Sequence, residues 1–363
     1  MFRPRHLAFL FLSSALIVAR VLASETPGKL VPGSDPHFVY DGRFDKSSPK
    51  HVVAIWQSSR IGIDFKSEHL ELEFGPLVDQ SYFDADVDGV REIVALAPNR
   101  FHQTYVWPHS LDGSLHHLTL SKRNEAASGY VTFDGITIDR KGKVITPVAH
   151  HYRLKAIFFG DSITAGACNE DGPADQWENR KTHNANKSYA ALTAQAIDAD
   201  FENISVSGMG IVTGYVPFVA SQIWDRVYPK AEAARADLTR WTPDIVFVNY
   251  GENDTSYTRV HGQPFPAYFT KDYIRYIEAL RGAFPKAQIV LLRGGMSGGA
   301  ENLDLRAAWS HACDRLEKKD PRVSHFVFHH FTAQHPRVID DQTMRDELVP
   351  WLKGQAFFRP FLK

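Results

Sequence analysis

From Lys50 to about Asp139 apolar and polar positions alternate with period two, as in His69-Leu70-Glu71-Leu72-Glu73-Phe74, Ile61-Gly62-Ile63-Asp64-Phe65 and Leu118-Thr119-Leu120. Such alternation buries one face of a strand and wets the other. Turn pairs recur between the runs: Asp88-Gly89, Asp112-Gly113, Ser128-Gly129 and Asp134-Gly135. Short strands at regular spacing predict an antiparallel, jelly-roll-like β-sandwich. After about His150 the rhythm changes. Apolar runs at 156–159, 204–206, 245–248, 289–292 and 326–328 alternate with helical stretches at 189–197, 273–284 and 303–316. That order predicts a parallel sheet covered by helices on both faces, a three-layer α/β/α unit. The predicted organisation is a sandwich over residues 30–148 and an α/β domain over 152–363, joined by a linker at Lys141 to His151. Two domains are also what 363 residues imply at roughly 150 residues per domain.

Residues 1–23 stand apart. Arg3, Arg5 and His6 precede an apolar run from Leu7 to Ala19, and Val21-Leu22-Ala23 supplies small residues before a cut. The run is short of the roughly 20 residues a membrane span needs. The pattern predicts a signal peptide and a secreted protein, extracellular or periplasmic, with no membrane association after cleavage. Lys plus Arg is 41 against 42 for Asp plus Glu. This balance excludes a nucleic-acid binder held by phosphate contacts. Two cysteines, Cys168 and Cys313, exclude a disulfide-stapled scaffold and a cysteine-built zinc cluster. The pairs His116-His117 and His150-His151 lack carboxylates at ligand spacing, so neither a metal nor a cofactor is expected. Asn186, Asn203 and Asn253 each begin an Asn-x-Ser/Thr acceptor pattern.

In a parallel sheet the reactive crevice lies beyond the carboxyl ends of the strands. The first strand there runs into Gly160-Asp161-Ser162-Ile163-Thr164 and the second into Ser207-Gly208. The third ends Gly251-Glu252-Asn253-Asp254, and the last leads to His335. Singly, each has a plain structural reading: an N-cap before a helix, a turn glycine, an Asn-Asp turn. Jointly, a serine, a glycine, an asparagine and a histidine follow successive strands on one edge. That order resembles the SGNH hydrolase superfamily. Asp41-Gly42-Arg43-Phe44, Asp86-Val87-Asp88-Gly89, Leu120 to Glu125 and Lys187-Ser188-Tyr189-Ala190 extend the resemblance to carbohydrate esterase family 2 over nearly the whole mature chain.

The resemblance implies that Ser162 is the nucleophile and His335 the general base, with the backbone N–H of Ser162, Gly208 and Asn253 as oxyanion donors. It implies an O-acetyl esterase acting on acetylated polysaccharide or oligosaccharide of the xylan or glucomannan type. Two positions depart from the pattern. Thr332 stands where such enzymes commonly carry Asp, so a neutral group such as a backbone carbonyl is expected to orient His335, leaving a Ser–His pair. Glu252 stands where a small or neutral residue is usual, and is expected to face solvent or pair with a base. Trp177 and Tyr250 are candidate sugar-stacking aromatics. The rival readings are an SGNH lipase or phospholipase, and a glycan-binding protein with a decayed active site.

Overall fold

A computed structural model describes residues 28–362, and the expected signal peptide lies outside the described residues. The front half comprises β1 (Lys29–Pro32), β2 (Val39–Asp41), β3 (Phe44–Asp45), β4 (Val52–Ala54), β5 (Arg60–Lys66), β6 (Leu70–Asp79), β7 (Ser81–Val87), β8 (Val90–Leu96), β9 (Gln103–Val106), β10 (Leu115–Lys122), β11 (Gly129–Ile138) and β12 (Lys143–Ile145). One sheet has the order β3-β4-β11-β6-β9 with β1 on β11; the other has β12-β5-β10-β7-β8 with β2 on β5. The alternation read from sequence decides the packing. Ile61, Ile63 and Phe65 on β5, and Leu70, Leu72 and Phe74 on β6, enter one core with Phe83 and Phe133. Truncating such a buried phenylalanine to alanine costs about 3–5 kcal/mol. The expected linker is shorter than its sequence suggests. Lys143–Ile145 is an edge strand paired to β5, because the alternation of Val144 with its charged and apolar neighbours suits a half-buried strand.

The second half is a parallel sheet of β13 (Leu154–Gly160), β14 (Ala199–Ser205), β15 (Ile245–Asn249), β16 (Gln288–Met296) and β17 (Val323–Thr332). Its order is β14-β13-β15-β16-β17. All five residues of β15 are buried, as a strand covered on both faces requires. The helices are α1 (Ser162–Ala165), α2 (Tyr189–Ala196), α3 (Ala220–Ile223), α4 (Glu252–Val260), α5 (Phe269–Ala283), α6 (Ser297–Glu301), α7 (Leu303–Lys319) and α8 (Val338–Gly354). Helices α2 and α8 cover one face and α5 and α7 the other. Because β14 and β15 flank β13 on opposite sides, the topological switch falls beside β13, where α/β sheets bind ligands.

The sandwich is fused to this sheet. Ile55, Trp56 and Ala126 join the core under α5, and the Trp56 indole donates to the Val227 carbonyl at 2.7 Å. Arg43, 6% exposed, pairs with Glu202 at 3.0 Å and donates to the Trp224 carbonyl at 2.8 Å.

Candidate active site

Ser162 opens α1 directly after β13. Asp161 caps that helix, its Oδ1 accepting the Ile163 N–H at 3.1 Å. The turn is tight: a Cβ on Gly160 would lie 2.0 Å from the Thr164 hydroxyl, so only glycine fits there. In the parallel register Gly160 pairs with Ser205, which brings Ser162 and the Ser207-Gly208 segment to the same edge. Gly208 has φ +79, a left-handed value. Among the described residues, neither the Ser162 nor the Gly208 N–H has a hydrogen-bond acceptor. Two unpaired donors at adjacent strand ends are what an oxyanion needs.

Asn253 fastens these loops together. Its Nδ2 donates to Asp161 Oδ2 at 3.2 Å and to the Met209 carbonyl at 3.1 Å. Both its N–H groups are therefore engaged, and a substrate oxygen would have to compete with one of those acceptors. Asp254 accepts the Ile211, Val212 and Thr213 N–H groups at 2.9, 2.7 and 3.2 Å, pinning the loop after β14. Burial nevertheless pushes Asp254 up to about 6, against the pull of those donors. Burial, with the nearby Glu252 carboxylate, also raises Asp161 well above the usual range.

The segment after β17 folds back onto the chain after α1. Arg337 Nη1 donates to the Cys168 carbonyl at 3.1 Å, and the Val338 N–H to that of Asn169 at 2.9 Å. His335 is thereby carried to the serine's edge of the sheet. Its Nδ1 meets Asp175 Oδ2 at 2.6 Å, and the other oxygen of Asp175 accepts Arg337 Nη1 at 2.8 Å. Partial burial raises the Asp175 pKa, but the bonds from His335 and Arg337 outweigh it and hold Asp175 at about 2. The carboxylate is charged at neutral pH and fixes the proton on Nδ1. A ring held through Nδ1 in this way leaves Nε2 as the nitrogen that could act as a base.

This corrects the expectation of a ring oriented by a neutral group. Thr332 does not take the acid's place either, since its hydroxyl donates to the Gln334 carbonyl at 2.5 Å. The acid comes instead from the loop between α1 and α2, 160 residues before His335. Nothing local marks Asp175 among Glu170, Asp171 and Glu178; only the fold selects it. Trp177, from the same loop, stacks on His335 with ring centroids 5.7 Å apart and an interplanar angle of 28°. It is partly exposed, at 36%, with the Arg180 guanidinium 4.2 Å from its ring centroid. Tyr250 is not: at 2% exposed it packs in the core against Tyr276, so it is no sugar platform. Glu252 also departs from expectation. It is 8% exposed, and its Oε2 accepts the Gly299 N–H at the start of α6. Burial raises its pKa, while Gly299, Arg259 and His335 lower it.

Cys168, Asp175 and His335 place one ligand atom each within 4.8 Å of one another. Burial and the carboxylates of Asp175 and Asp171 push the Cys168 thiol far up, keeping it neutral. With Arg337 on Asp175 as well, the donor set suits an Asp–His pair better than a cation.

A strand-end serine and an Asp–His pair on one edge of a three-layer α/β/α sheet are the arrangement of the SGNH hydrolase class. Residues 158–355 match the GDSL-like lipase/acylhydrolase family, and residues 40–147 match the carbohydrate esterase 2 N-terminal family. The chain belongs to the GDSL-like lipase/acylhydrolase family, a family of carboxylic ester hydrolases, and carries the N-terminal domain of family 2 carbohydrate esterases. It is 31% identical over 346 residues to the cellulase/esterase CelE of Acetivibrio thermocellus, an alignment covering 92% of this chain and 40% of that protein. The chain thus spans about two fifths of that relative's length. It is 26% identical over 326 residues to an acetylxylan esterase/glucomannan deacetylase of Cellvibrio japonicus, covering 85% of this chain and 87% of that one. A family two carbohydrate esterase from Clostridium thermocellum, solved in complex with cellohexaose, is similar at a TM-score of 0.76 and 27% identity, covering 87% of this chain and 98% of that one. Among the described residues no helix is long and apolar enough to cross a membrane.

Proposed function

We propose that this protein is an exported carbohydrate O-acetyl esterase acting on plant cell-wall polysaccharide of the xylan or glucomannan type. The observation that carries the reading is the 2.6 Å contact between His335 Nδ1 and Asp175 on the edge that presents Ser162. In the proposed reaction Nε2 of His335 takes the Ser162 hydroxyl proton as Oγ attacks the acetyl carbonyl. The carbonyl oxygen becomes an oxyanion held by the Ser162 and Gly208 N–H groups, with Asn253 as third donor. Collapse breaks the bond to the sugar oxygen, which leaves with the proton from His335. Water then repeats the sequence on the acetyl-enzyme, releasing acetate and restoring Ser162. Asp175 stays ionised throughout and stabilises the transient imidazolium.

The names borne by the similar esterases support the acetyl group and the polysaccharide. The Asp175–His335 contact weighs against the decayed-site reading, which rests on the lack of an acid at position 332. The test measures acetate release from acetylated xylan and acetylated glucomannan, beside hydrolysis of aryl acetate and aryl octanoate, with Ser162→Ala as control. Release from the polysaccharides, with acetate preferred over octanoate and activity abolished in Ser162→Ala, is expected. Preference for octanoate would favour a lipase, and binding without hydrolysis a glycan-binding protein. Activity retained in Ser162→Ala would overturn the nucleophile.

A further inference from the structure

The turn that leaves β10, Lys122-Arg123-Asn124-Glu125, belongs to the sandwich, yet two of its charged side chains end in the hydrolase half. Glu125 is 4% exposed, and its Oε2 accepts the Ser207 N–H at 2.6 Å. Ser207 immediately precedes Gly208. Arg123, 2% exposed, is shared between the halves: Nη1 pairs with Asp84 in the sandwich and Nη2 with Glu170. Nη2 also donates to the Lys181 carbonyl at 3.0 Å, and the Arg123 carbonyl accepts the Ala185 N–H at 2.9 Å. Glu170 and Lys181 bracket the loop that presents Asp175 and Trp177, and the Glu170 N–H closes its base on the Thr182 carbonyl at 3.0 Å.

The turn itself is fastened inside the sandwich. Asn124 accepts the Tyr82 N–H at 2.9 Å and donates to the Gln80 carbonyl at 2.9 Å, while Lys122 donates to the Asn124 carbonyl at 2.6 Å. Apolar contact would suffice to dock two domains. Here buried charges are aimed instead at the two hydrolase segments whose placement sets the reaction geometry. We propose that Glu125 and Arg123 are positioning residues: Glu125 sets the Gly208 peptide and Arg123 holds the loop bearing Asp175. The sandwich is then a working part of the active site, not an appended module. This rests on the roles given to Ser162, Gly208 and Asp175 above.

The test is steady-state hydrolysis of a soluble aryl acetate, which needs no glycan contacts. Misplacing a reacting group by about 1 Å costs about 100-fold. Glu125→Ala should lower kcat by roughly 10- to 100-fold, with KM changed less than about threefold. Glu125→Gln keeps a carbonyl acceptor for the Ser207 N–H and should recover most of the loss. Arg123→Lys cannot bridge Asp84, Glu170 and the Lys181 carbonyl together, and should lower kcat about tenfold. If Arg123 acts through Asp175, adding Arg123→Lys to Asp175→Asn should cost little more than Asp175→Asn alone. Folded Glu125→Ala with kcat within about twofold of the parent would overturn the role of Glu125, as would Glu125→Gln no better than Glu125→Ala. An undiminished Arg123→Lys effect in the Asp175→Asn background would overturn the role of Arg123. Should Glu125→Ala not fold, Glu125→Gln and the Arg123–Asp175 cycle still decide. Parental activity in Ser162→Ala would instead overturn the underlying site.

Discussion

Replacing Asp175 with asparagine keeps the shape of the side chain and removes its charge. An imidazolium and a carboxylate about 4 Å apart between charge centres attract by about 4 kcal/mol at an effective dielectric of 20. The two side chains are 17% and 26% exposed, so screening brings this to about 3 kcal/mol. At about 1.4 kcal/mol per decade that is roughly 100-fold in kcat. Two effects enlarge it. Arg337, 2.8 Å from the Asp175 oxygen, would lose its counter-charge and oppose the imidazolium. An asparagine that turned its amide toward the ring would also favour the wrong tautomer. Asp175→Asn should therefore lose 10²–10³ in kcat on an aryl acetate at pH 7, with KM within about threefold. Thr332→Ala should stay within a few-fold of the parent. A folded Asp175→Asn protein with kcat within fivefold of the parent would refute the assignment, as would a Thr332→Ala protein without activity. The same pair makes a stability prediction. The folded pKa of Asp175, about 2, lies below its ordinary 3.8. Its contribution is present above about pH 4 and disappears as the pH falls through 2, so parent and variant should converge in stability there.

Asn253→Ala should lower kcat by about 10² if the amide serves the oxyanion. Because it also ties Asp161 to Met209, it should lower the unfolding free energy by about 1–2 kcal/mol; unchanged kcat with that destabilisation would leave it only the tying role. Burial lowers Lys122 to about 7 from 10.5. Between those values the unfolded chain binds the extra proton, so parent stability rises with pH. The stability of Lys122→Met relative to the parent should thus fall from pH 7 to pH 10 in urea titrations, and a constant difference would contradict a neutral buried amine. Trp177→Ala should raise KM for acetylated oligosaccharide several-fold more than KM for aryl acetate, and equal changes would return Trp177 to a packing role.

Period and position made most of the architecture readable. The alternation at Ile61 to Phe65 encodes a half-wet strand, and the unbroken apolar run at Ile245 to Val248 one covered on both sides. The shared edge of Ser162, Gly208, Asn253 and His335 was legible because each directly follows a strand or its loop, and parallel topology sends every strand end to one edge. The contact of Asp175 with His335 was not, since it depends on where a loop between α1 and α2 lies in space. Tyr250 misled because a residue one step past a strand can face either layer, and the alternation of β15 turns it into the core under α5. Glu252 misled for a related reason. The free N–H groups at the start of α6 draw its carboxylate inward, and sequence does not show which helix ends converge.

The central claim, that Ser162 carries the acyl group with Asp175-supported His335 as its base, is tested most directly by trapping the intermediate. Parent and Ser162→Ala proteins would be mixed with excess aryl acetate, quenched in acid within milliseconds and digested for mass spectrometry. The account predicts a burst of aryl alcohol in the parent and one acetyl group on the peptide containing Ser162, with neither in Ser162→Ala. An acetyl group on another residue, or an active Ser162→Ala protein, would contradict it.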